Sequence, residues 1–258
     1  MLKNLILKLY AMSEKTSSKP AFCIKKGYRH RLKPKYFLDN VGKKSGTIWQ
    51  PEVYEVSGKL AKMFNCKNVI DLGCGSAEKL VKLYPDFNIV GIDFGKNIQR
   101  CKVQYGFGNW IEGDLDSPHL INISKEILKD SIIICSDVIE HLVNPSYLLN
   151  NLKILMDYCS ICIISTPERD LARGKKHNGP PMNLHHIREW NLLEFYELLK
   201  LHNFKINDIG LTASNNKNHE KKTIIVVLSN NNVKNKTSLY DLHFKHTTFL
   251  PPNKTIIN

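Results

Sequence analysis

Two glycines separated by a single residue follow a short run of β-branched and apolar residues. This spacing creates a place where a ligand can approach the backbone. The run 68–72 contains Asp71, and the glycines lie in the segment 73–76 (Gly-Cys-Gly-Ser). Glycine turns tightly because it has no Cβ, and the N–H groups at the start of a predicted helix over 77–83 would face the ligand. A pyrophosphate-binding turn would have a third glycine where Glu78 stands, so the pattern disfavours a nicotinamide or flavin site.

Acidic residues follow the next two predicted strands. Asp93 follows the run 88–92, and its carboxylate can accept hydrogen bonds from both hydroxyls of a ribose. A turn or capping role is the alternative for this residue. Asp114 could accept a hydrogen bond from the exocyclic amine of adenine, while the N–H of Leu115 meets a ring nitrogen. A further polar stretch, 136–142 (Ser-Asp-Val-Ile-Glu-His-Leu), follows a fourth, apolar run.

Strand-like and helix-like segments alternate from residue 66 onward, which predicts an α/β fold with a doubly wound, mostly parallel sheet. Because ligands bind at the carboxyl ends of such strands, the polar positions above would meet at one edge of the sheet. The predicted strands are 69–72, 88–92, 109–111, 131–135, 160–165, 204–211 and 223–228. The predicted helices are 51–64, 77–83, 96–104, 145–157 and 191–202.

The sequence predicts one domain with two appendages. Residues 1–65 are a basic N-terminal extension that ends in a helix, and residues 66–230 are the sheet domain. Residues 231–258 are an asparagine- and lysine-rich tail without clear periodicity, which we expect to be loosely ordered. Within the domain, the segment 166–190 is too long for a simple connection, and loops of that length often cover a substrate.

The order and spacing of Asp71, Asp93, Asp114 and the 136–142 stretch resemble those of class I S-adenosylmethionine (SAM) methyltransferases. The Asp-Val-Ile-Glu-His-Leu sequence is similar to the subgroup that methylates small molecules, including quinone precursors and sugars. The resemblance spans about residues 66–230 and implies a Rossmann-like sheet of seven strands, SAM as cofactor and S-adenosyl-L-homocysteine as product. The cofactor contacts predicted on this basis are Asp71, Gly73, Cys74, Gly75, Asp93, Phe94, Asp114, Leu115, Ser136 and Gln50.

Histidines near two of these stretches are candidate catalytic residues. In this family the nucleophile displaces the sulfonium group directly, so the protein has to orient the two partners and accept a proton. Histidine suits a hydroxyl nucleophile because its pKa lies near neutrality. His141 lies one turn beyond the fourth strand, and His185 and His186 follow the long loop. We predict that His186 and His141 act on the substrate, and the alternative for His186 is helix capping or packing.

The segment 166–190 also provides donors for an anionic substrate. Its pattern of Thr-Pro-Glu-Arg-Asp, Arg-Gly, Gly-Pro-Pro-x-Asn and His-x-Arg-Glu-Trp resembles methyltransferases found with bacterial surface-polysaccharide biosynthesis. In that pattern, the histidine two residues before the arginine is His186. Arginine side chains are forked donors that suit phosphate or sugar oxygens, although Arg188 could instead pair with Glu189. The predicted substrate contacts are Arg169, Arg173, Asn183 and Arg188.

The net charge of +13 is concentrated near the N-terminus, where the first 50 residues contain twelve Lys and Arg against two acids. Within them, residues 25–36 interleave cations with aromatic side chains. This stretch is either a solvated basic tail or a docking surface for a polyanion. Together with the arginines, it favours O-methylation of a sugar activated by a nucleotide diphosphate, such as a GDP-heptose, for capsule or another surface polysaccharide.

Two other functions remain open. The charge also fits an RNA or protein methyltransferase, but the sequence has no recognisable RNA-binding module. The Ser136-Asp137-Val138 sequence after the fourth strand favours a hydroxyl acceptor over a planar amine. A non-catalytic SAM-fold subunit that supports a partner enzyme is the other alternative, and the intact glycine loop and Asp93 disfavour it.

The remaining composition bears on metals, compartment and assembly. We expect no metal, because the sequence shows no clear set of three Asp, Glu or His ligands. No apolar run reaches the roughly 20 residues that span a bilayer. Seven scattered cysteines, an odd number, favour a reducing, cytoplasmic compartment, and the Cys159-x-x-Cys162 pair has no second pair at zinc spacing. The sequence leaves the oligomeric state open, and a homodimer is compatible with it.

Overall fold

The described residues of the computed structural model, which are 21–33, 35–39, 46–230, 239 and 242–251, form one eight-stranded sheet with helices on both faces. The strands are β1 (Asn68–Leu72), β2 (Asn88–Asp93), β3 (Asn109–Glu112), β4 (Ser131–Ser136), β5 (Ile161–Pro167), β6 (Lys205–Thr212), β7 (Thr223–Ser229) and β8 (Thr248–Phe249). The helices are α1 (Pro51–Met63), α2 (Lys96–Gln104), α3 (Lys125–Lys129), α4 (Pro145–Met156), α5 (Arg169–Arg173) and α6 (Leu192–Leu201), with 3-10 turns at Ala21–Cys23, Leu80–Leu83 and Ile139–His141. None of the helices in these described ranges is both long and apolar enough to cross a membrane.

The strand order is β3-β2-β1-β4-β5-β7-β6-β8. Strands β1 to β5 are parallel, whereas β7 is antiparallel to both β5 and β6. The chain moves outward from β1 to β3 and then returns to the other side of β1 as β4. This reversal opens a crevice at the carboxyl ends of β1 and β4, which is where open α/β sheets bind ligands.

Alternation along the central strands explains the two layers of helices. In β4, Ile133 and Cys135 face one hydrophobic cluster, while Ile132 and Ile134 face the other. Helices α4 and α6 cover the first face, and α1 and α2 cover the second. Because both faces are covered, β4 is buried along its whole length, as expected for a strand in the middle of a doubly wound sheet.

The predicted sheet is confirmed, with one strand added. Strand β8 pairs antiparallel with β6 through Gly210 and Leu211, so the tail is not loosely ordered at this point, contrary to expectation. Two residues are too few to produce a detectable alternation in the sequence. The other tail residues 231–238, 240–241 and 252–258 lie outside the described residues, as do residues 1–20, 34 and 40–45 of the predicted N-terminal extension.

The predicted helix over 77–83 is wrong. Ala77 has a left-handed backbone (φ 58°), and only a short 3-10 turn, Leu80–Leu83, follows it. A left-handed residue cannot continue a right-handed helix, and Pro85 leaves too few residues for a stable α-helix to begin after it. The predicted helix N-terminus facing a ligand is therefore absent. The N–H groups of the glycine loop itself are used within the protein: those of Gly73 and Cys74 donate to the carbonyl of Ile92, that of Gly75 to Asp93 and that of Ser76 to Asp39.

The basic N-terminal segment packs against the 166–190 segment. The backbone N–H groups of Arg29 and Arg31 donate to the carbonyls of Asn178 (2.8 Å) and Ile187 (2.9 Å). Their guanidinium groups donate to two further carbonyls of the same segment, at Gly179 and Pro181. These bonds fix residues 29–31 on the surface of the domain, where Arg29 and His30 stay exposed, so the alternative of a free, solvated tail does not hold for them.

Candidate active site

A pocket of about 460 Å³ lies at the carboxyl ends of β1 to β4. Of the residues predicted from the sequence, nine line it: Gly73, Cys74, Gly75, Asp93, Phe94, Asp114, Leu115, Ser136 and His141. Seven do not: Asp71, Gln50, His186, Arg169, Arg173, Asn183 and Arg188. The fold therefore brings together most of the predicted cofactor contacts and leaves all four predicted substrate contacts outside the pocket lining.

The glycine loop requires glycine at two positions. Gly73 (φ 82°) lies so close to the 136–142 stretch that a Cβ would be 2.4 Å from Cγ2 of Val138. At Gly75 (φ 57°), a Cβ would be 2.5 Å from Oδ2 of Asp39. Both residues combine a left-handed backbone with close contacts, so any side chain would displace the pocket wall.

Asp93 takes the turn-capping role considered for it and also lines the pocket. Its Oδ2 accepts a hydrogen bond from the N–H of Gly75 (2.8 Å), and its Oδ1 accepts from the N–H of Phe94 (2.7 Å) and from Asn97 (3.3 Å). Burial raises the pKa of Asp93, while these three donors oppose the shift. The carboxylate thus caps a turn and also forms part of the pocket wall.

Asp114 and Leu115 lie across the pocket from the glycine loop, together with Asp116. The carboxylate of Asp116 accepts hydrogen bonds from the N–H groups of Val143 (2.7 Å) and Asn144 (2.8 Å). These bonds tie the loop after β3 to the loop after β4. Both loops therefore hold fixed positions around the pocket.

Asp71 lies beneath the glycine loop rather than in the pocket. It is fully buried, and its Oδ2 accepts a hydrogen bond from the hydroxyl of Tyr54 (2.7 Å), whose ring does line the pocket. Burial raises the pKa of Asp71 to about 7. Asp71 therefore supports the loop from below.

Gln50 is also buried, and it ties the ends of β4 and β5 together. Its Oε1 accepts hydrogen bonds from the hydroxyls of Ser136 and Ser165, and its Nε2 donates to Oδ1 of Asp137 (2.8 Å). Gln50 and Asp137 both have left-handed backbones, with φ of 48° and 63°. Non-glycine residues in this region store strain that is found mainly at functional sites.

The segment 35–39 forms a wall of the pocket that the sequence did not predict. The hydroxyl of Tyr36 donates to the carbonyl of Phe94 (3.0 Å), and Asp39 accepts hydrogen bonds from the N–H (2.8 Å) and hydroxyl (2.7 Å) of Ser76. The ring of Phe37 lies 5.6 Å from that of His141. Tyr36 belongs to the interleaved stretch 25–36, which the sequence predicts as either a solvated tail or a docking surface for a polyanion. Its aromatic character was the available signal for a pocket wall.

Three lysines at the pocket were also missed. Lys35 comes from the 35–39 segment, and Lys79 and Lys82 follow the glycine loop. The ammonium group of Lys79 donates to the carbonyl of Trp49 (3.0 Å) and lies 4.7 Å from the centre of the Tyr54 ring. The same two segments also contribute the acidic residues Asp39 and Glu78 to the lining, so cations and carboxylates alternate there.

His141 is the one predicted catalytic residue that lines the pocket. Its Nδ1 lies 3.0 Å from the carbonyl oxygen of His185, which assigns the proton to Nδ1 and leaves a lone pair on Nε2. Burial, reinforced by repulsion from His186, lowers the pKa of His141 to about 4. The imidazole is therefore neutral at physiological pH.

His186 lies behind His141, with their ring centres 4.7 Å apart. Its Nδ1 is 2.7 Å from Oε1 of Glu189, and its Nε2 is 2.8 Å from the amide nitrogen of Asn183. Asn183 is thus engaged with His186. The structure places both residues one layer away from the pocket.

The three arginines are engaged in contacts within the protein. Arg169 is fully buried between Asp170 and Glu194, and Arg188 donates to the carbonyls of Leu142 (3.0 Å) and Val143 (2.9 Å). Arg173 is partly exposed and pairs with Glu189 at 3.4 Å. Arg169 and Arg188 therefore do not reach a substrate in the pocket, because a sequence pattern cannot distinguish internal ion pairs from forks that face a ligand.

A set of possible metal ligands does exist in the fold. Glu140, His141 and His186 each place one ligand atom within 4.8 Å of the others. The expectation of metal-free chemistry rested on the lack of such a set in the sequence. His186 is 45 positions from His141 along the chain, so only the fold reveals the set.

The strand order, the glycine loop and the acidic residue at the end of β2 define the class I methyltransferase fold. A family described as Methyltransferase domain matches residues 31–208, which is well over half of the chain. The chain belongs to this family and is a SAM-dependent methyltransferase. No curated protein matches its sequence.

Solved methyltransferase structures share this fold. A SAM-dependent methyltransferase from Clostridium acetobutylicum is 14% identical, with a TM-score of 0.53 over 70% of this chain and 92% of its own. The small RNA methyltransferase HEN1 is 18% identical, with a TM-score of 0.52 over 76% of this chain and 27% of its own. Magnesium protoporphyrin IX methyltransferase from Synechocystis PCC 6803, solved with bound S-adenosylhomocysteine, is 19% identical. Its TM-score is 0.50 over 70% of this chain and 82% of its own. At these identities the likeness concerns the fold and not the substrate.

Proposed function

We propose that this enzyme transfers the methyl group of SAM to a hydroxyl of a nucleotide-diphosphate-activated sugar, such as a GDP-heptose, for a surface polysaccharide. The observation that carries the proposal is the composition of the pocket wall. A neutral histidine, His141, shares the pocket with the predicted cofactor contacts and with three lysines. A proton acceptor and an anion-binding side are what a hydroxyl acceptor with a phosphate handle needs.

The cofactor occupies the half of the pocket formed by β1, β2 and β3. In this proposal Asp93 accepts hydrogen bonds from the ribose hydroxyls, since each carboxylate oxygen can accept more than one donor. Phe94 and Leu115 pack beside the adenine, and Asp114 binds its exocyclic amine. The methionine end lies against the glycine loop, supported from below by Asp71. Ser136 and Gln50 complete the floor, with Gln50 acting through its bonds to the ends of β4 and β5.

The acceptor hydroxyl lies next to His141. Its oxygen attacks the methyl carbon in line, a new C–O bond forms, and the C–S electron pair stays on sulfur as S-adenosylhomocysteine leaves. The hydroxyl proton has to leave in this step. The Nε2 lone pair of His141 can accept the proton directly, or it can bind a water molecule that accepts the proton. His186 is a positioning residue in this scheme, because it packs against the His141 ring and is held by Glu189.

The phosphates of the sugar nucleotide contact Lys35, Lys79 and Lys82. The ammonium group of lysine is a compact point charge that binds phosphate groups. Arg173 is the predicted loop arginine that retains partial exposure, and its guanidinium pairs with Glu189. We propose the cytoplasm as the compartment, a choice supported by the seven free cysteines.

An RNA or protein substrate is the second candidate, favoured by the net charge of +13. In the described part of the chain, three of the basic side chains of residues 25–36, those of Lys25, Arg29 and Arg31, donate to loop carbonyls. These contacts make that surface less available for a polyanion than the sequence suggested. A non-catalytic partner subunit is a third candidate, and the formed glycine loop with its bond to Asp93 weighs against it.

The test is release of S-adenosylhomocysteine with a panel of GDP-, CDP- and UDP-sugars, with short RNA in parallel. Turnover on one nucleotide sugar supports the proposal. Turnover on RNA alone overturns it. Weak or absent SAM binding in calorimetry would favour the partner-subunit alternative, because a non-catalytic subunit is expected to have a decayed cofactor site.

A further inference from the structure

Glu140, His141 and His186 form a compact set of metal-ligand atoms beside the pocket. One carboxylate oxygen and two imidazole nitrogens lie within 4.8 Å of one another. Two of the residues come from the 3-10 turn after β4, and the third comes from the end of the 166–190 segment. Of the three, His141 lines the pocket.

Glu140 provides an independent observation that points to a cation. Its side chain is fully buried, and Oε2 accepts a hydrogen bond from the hydroxyl of Thr166 (2.9 Å). Within the described part of the chain, no N–H or O–H group donates to Oε1. A buried carboxylate oxygen without a donor is unfavourable, because it has lost its water without replacement.

The surroundings of Glu140 increase the negative charge. The carboxyl group of Asp137 is hydrogen-bonded to that of Glu140, a contact that requires a proton between the two groups. Among the described ion pairs, no lysine or arginine pairs with either group. Two neighbouring carboxylates in a buried place need either a shared proton or a cation between them.

Both histidines are oriented as metal ligands are. The Nδ1 of His141 is held by the carbonyl of His185, and the Nδ1 of His186 is held by Glu189. Partners of this kind fix the ring and leave Nε2 as the ligand atom. The amide nitrogen of Asn183, which lies 2.8 Å from Nε2 of His186, would turn away when a cation takes that lone pair.

We propose that Glu140, His141 and His186 bind a divalent first-row transition-metal ion, and that the acceptor hydroxyl completes its coordination from the pocket side. Two imidazoles with one carboxylate suit such ions and leave coordination positions open. This step rests on the proposed function in one respect, namely that the acceptor is a hydroxyl.

The cation changes how the proton leaves. A hydroxyl bound to a divalent cation is more acidic than a free one, so it can lose its proton to water in the pocket before its oxygen attacks the methyl carbon. His141 then acts through the cation, as a ligand, and not by taking the proton itself. The bonds formed and broken are otherwise those of the metal-free scheme.

The test is metal binding to the full-length protein, independent of turnover. The protein is stripped with a chelator, exchanged into chelator-free buffer, and titrated with Mn²⁺ in a calorimeter and with Co²⁺ by visible absorption. We expect one site per chain. Glu140→Gln and His186→Ala should each weaken Mn²⁺ binding by at least about tenfold and lose the Co²⁺ absorption band.

His185→Ala is the matched control, because His185 adjoins the set but its Nδ1 contacts the carbonyl of Lys35. This variant should bind Mn²⁺ as the parent does. Circular dichroism and SAM affinity verify that each variant is folded.

The outcomes separate this inference from the proposed function. If the stripped parent binds neither ion, or if Glu140→Gln and His186→Ala bind as the parent does, the metal site is wrong, and sugar methylation in the presence of chelator would still stand. If the site binds Mn²⁺ but no nucleotide sugar is methylated, the site holds and the proposed function fails.

Discussion

The hydroxyl of Tyr54 donates a 2.7 Å hydrogen bond to the carboxylate of Asp71 and joins helix α1 to strand β1 beneath the glycine loop. Both side chains are buried, and within the described residues no donor reaches the other oxygen of Asp71. This pair connects the part of the chain before the sheet to the wall of the cofactor pocket. The ionisation of one carboxyl group should therefore affect the stability of the whole site.

Asp71 should make the protein less stable as the pH rises. Its pKa is about 7 in the folded state, because it is buried, and its ordinary value is 3.8. Between these values the folded state binds more protons than the unfolded state, so the free energy of unfolding decreases with rising pH. Urea unfolding at about pH 5 and pH 8 measures the change. Asp71→Asn should reduce the pH dependence, whereas Asp86→Asn, at an exposed site paired with Lys62, should not. An unchanged slope in Asp71→Asn would contradict the assignment.

Gly73→Ala should lose SAM binding. The new Cβ would meet Cγ2 of Val138 at 2.4 Å while the backbone remains left-handed, a combination that costs at least about 1–2 kcal/mol. Gly106→Ala is the control, because nothing lies within 4 Å of a Cβ there. Calorimetric titration with SAM provides the comparison. Equal SAM affinity in the two variants would show that the loop tolerates a side chain.

Asp93→Ala should weaken SAM binding by roughly tenfold to a hundredfold, since hydrogen bonds to a charged acceptor contribute about 1.5–3 kcal/mol. The variant also removes the acceptor for the N–H of Gly75. Asp130→Asn, in an exposed ion pair with Lys67, is the control and should bind SAM normally. Unchanged SAM affinity in Asp93→Ala would contradict the proposal that Asp93 binds the ribose hydroxyls.

Lys35→Ala and Lys82→Ala should each raise the KM for a nucleotide sugar several-fold and leave kcat nearly unchanged. The lysines line the pocket. The attraction between an exposed lysine and a phosphate group strengthens substrate binding, and dissolved salt screens this attraction. The effect should therefore shrink at high ionic strength. Lys59→Ala, at an exposed i,i+4 pair with Glu55, provides the baseline. A lower kcat with an unchanged KM would argue against an anion-binding role.

Arg169→Ala should destabilise the fold and should not act through substrate affinity. The guanidinium is fully buried and pairs with Glu194 and Asp170, and removing one partner of a buried pair costs about 3–5 kcal/mol. Thermal unfolding should show a clear decrease in Tm, whereas Arg173→Ala, which removes a partly exposed arginine, should show a small one. A stable Arg169→Ala variant with a raised KM would restore the original prediction of a substrate contact.

Local sequence patterns were sufficient to predict most of the fold. The runs that became β1, β2 and β4 are short, β-branched and followed by polar residues, so both their type and their order could be read from neighbouring positions. The cofactor side of the pocket followed for the same reason, since the ends of adjacent parallel strands must meet. The helix predicted after the glycine loop failed because the left-handed backbone of Ala77 has no composition signal.

Contacts between distant parts of the chain could not be predicted. Ser76 donates to Asp39, which lies 37 positions away along the chain, and His186 reaches His141 only because the 166–190 segment folds back. A sequence shows that an arginine or histidine is present, but not which of its neighbours in space will use its hydrogen bonds. The arginines were therefore assigned to a substrate when they were already bound within the protein.

The pocket is divided between two groups of loops, and this division has an evolutionary consequence. Most residues expected to bind the cofactor lie at the ends of β1, β2 and β3, with Ser136 at the end of β4, whereas His141 and Leu142 lie farther along the loop after β4. A mutation in the second group can change which acceptor is methylated while the donor site keeps its shape. Acceptor choice in this fold can therefore diverge quickly between lineages that share almost unchanged SAM-binding loops.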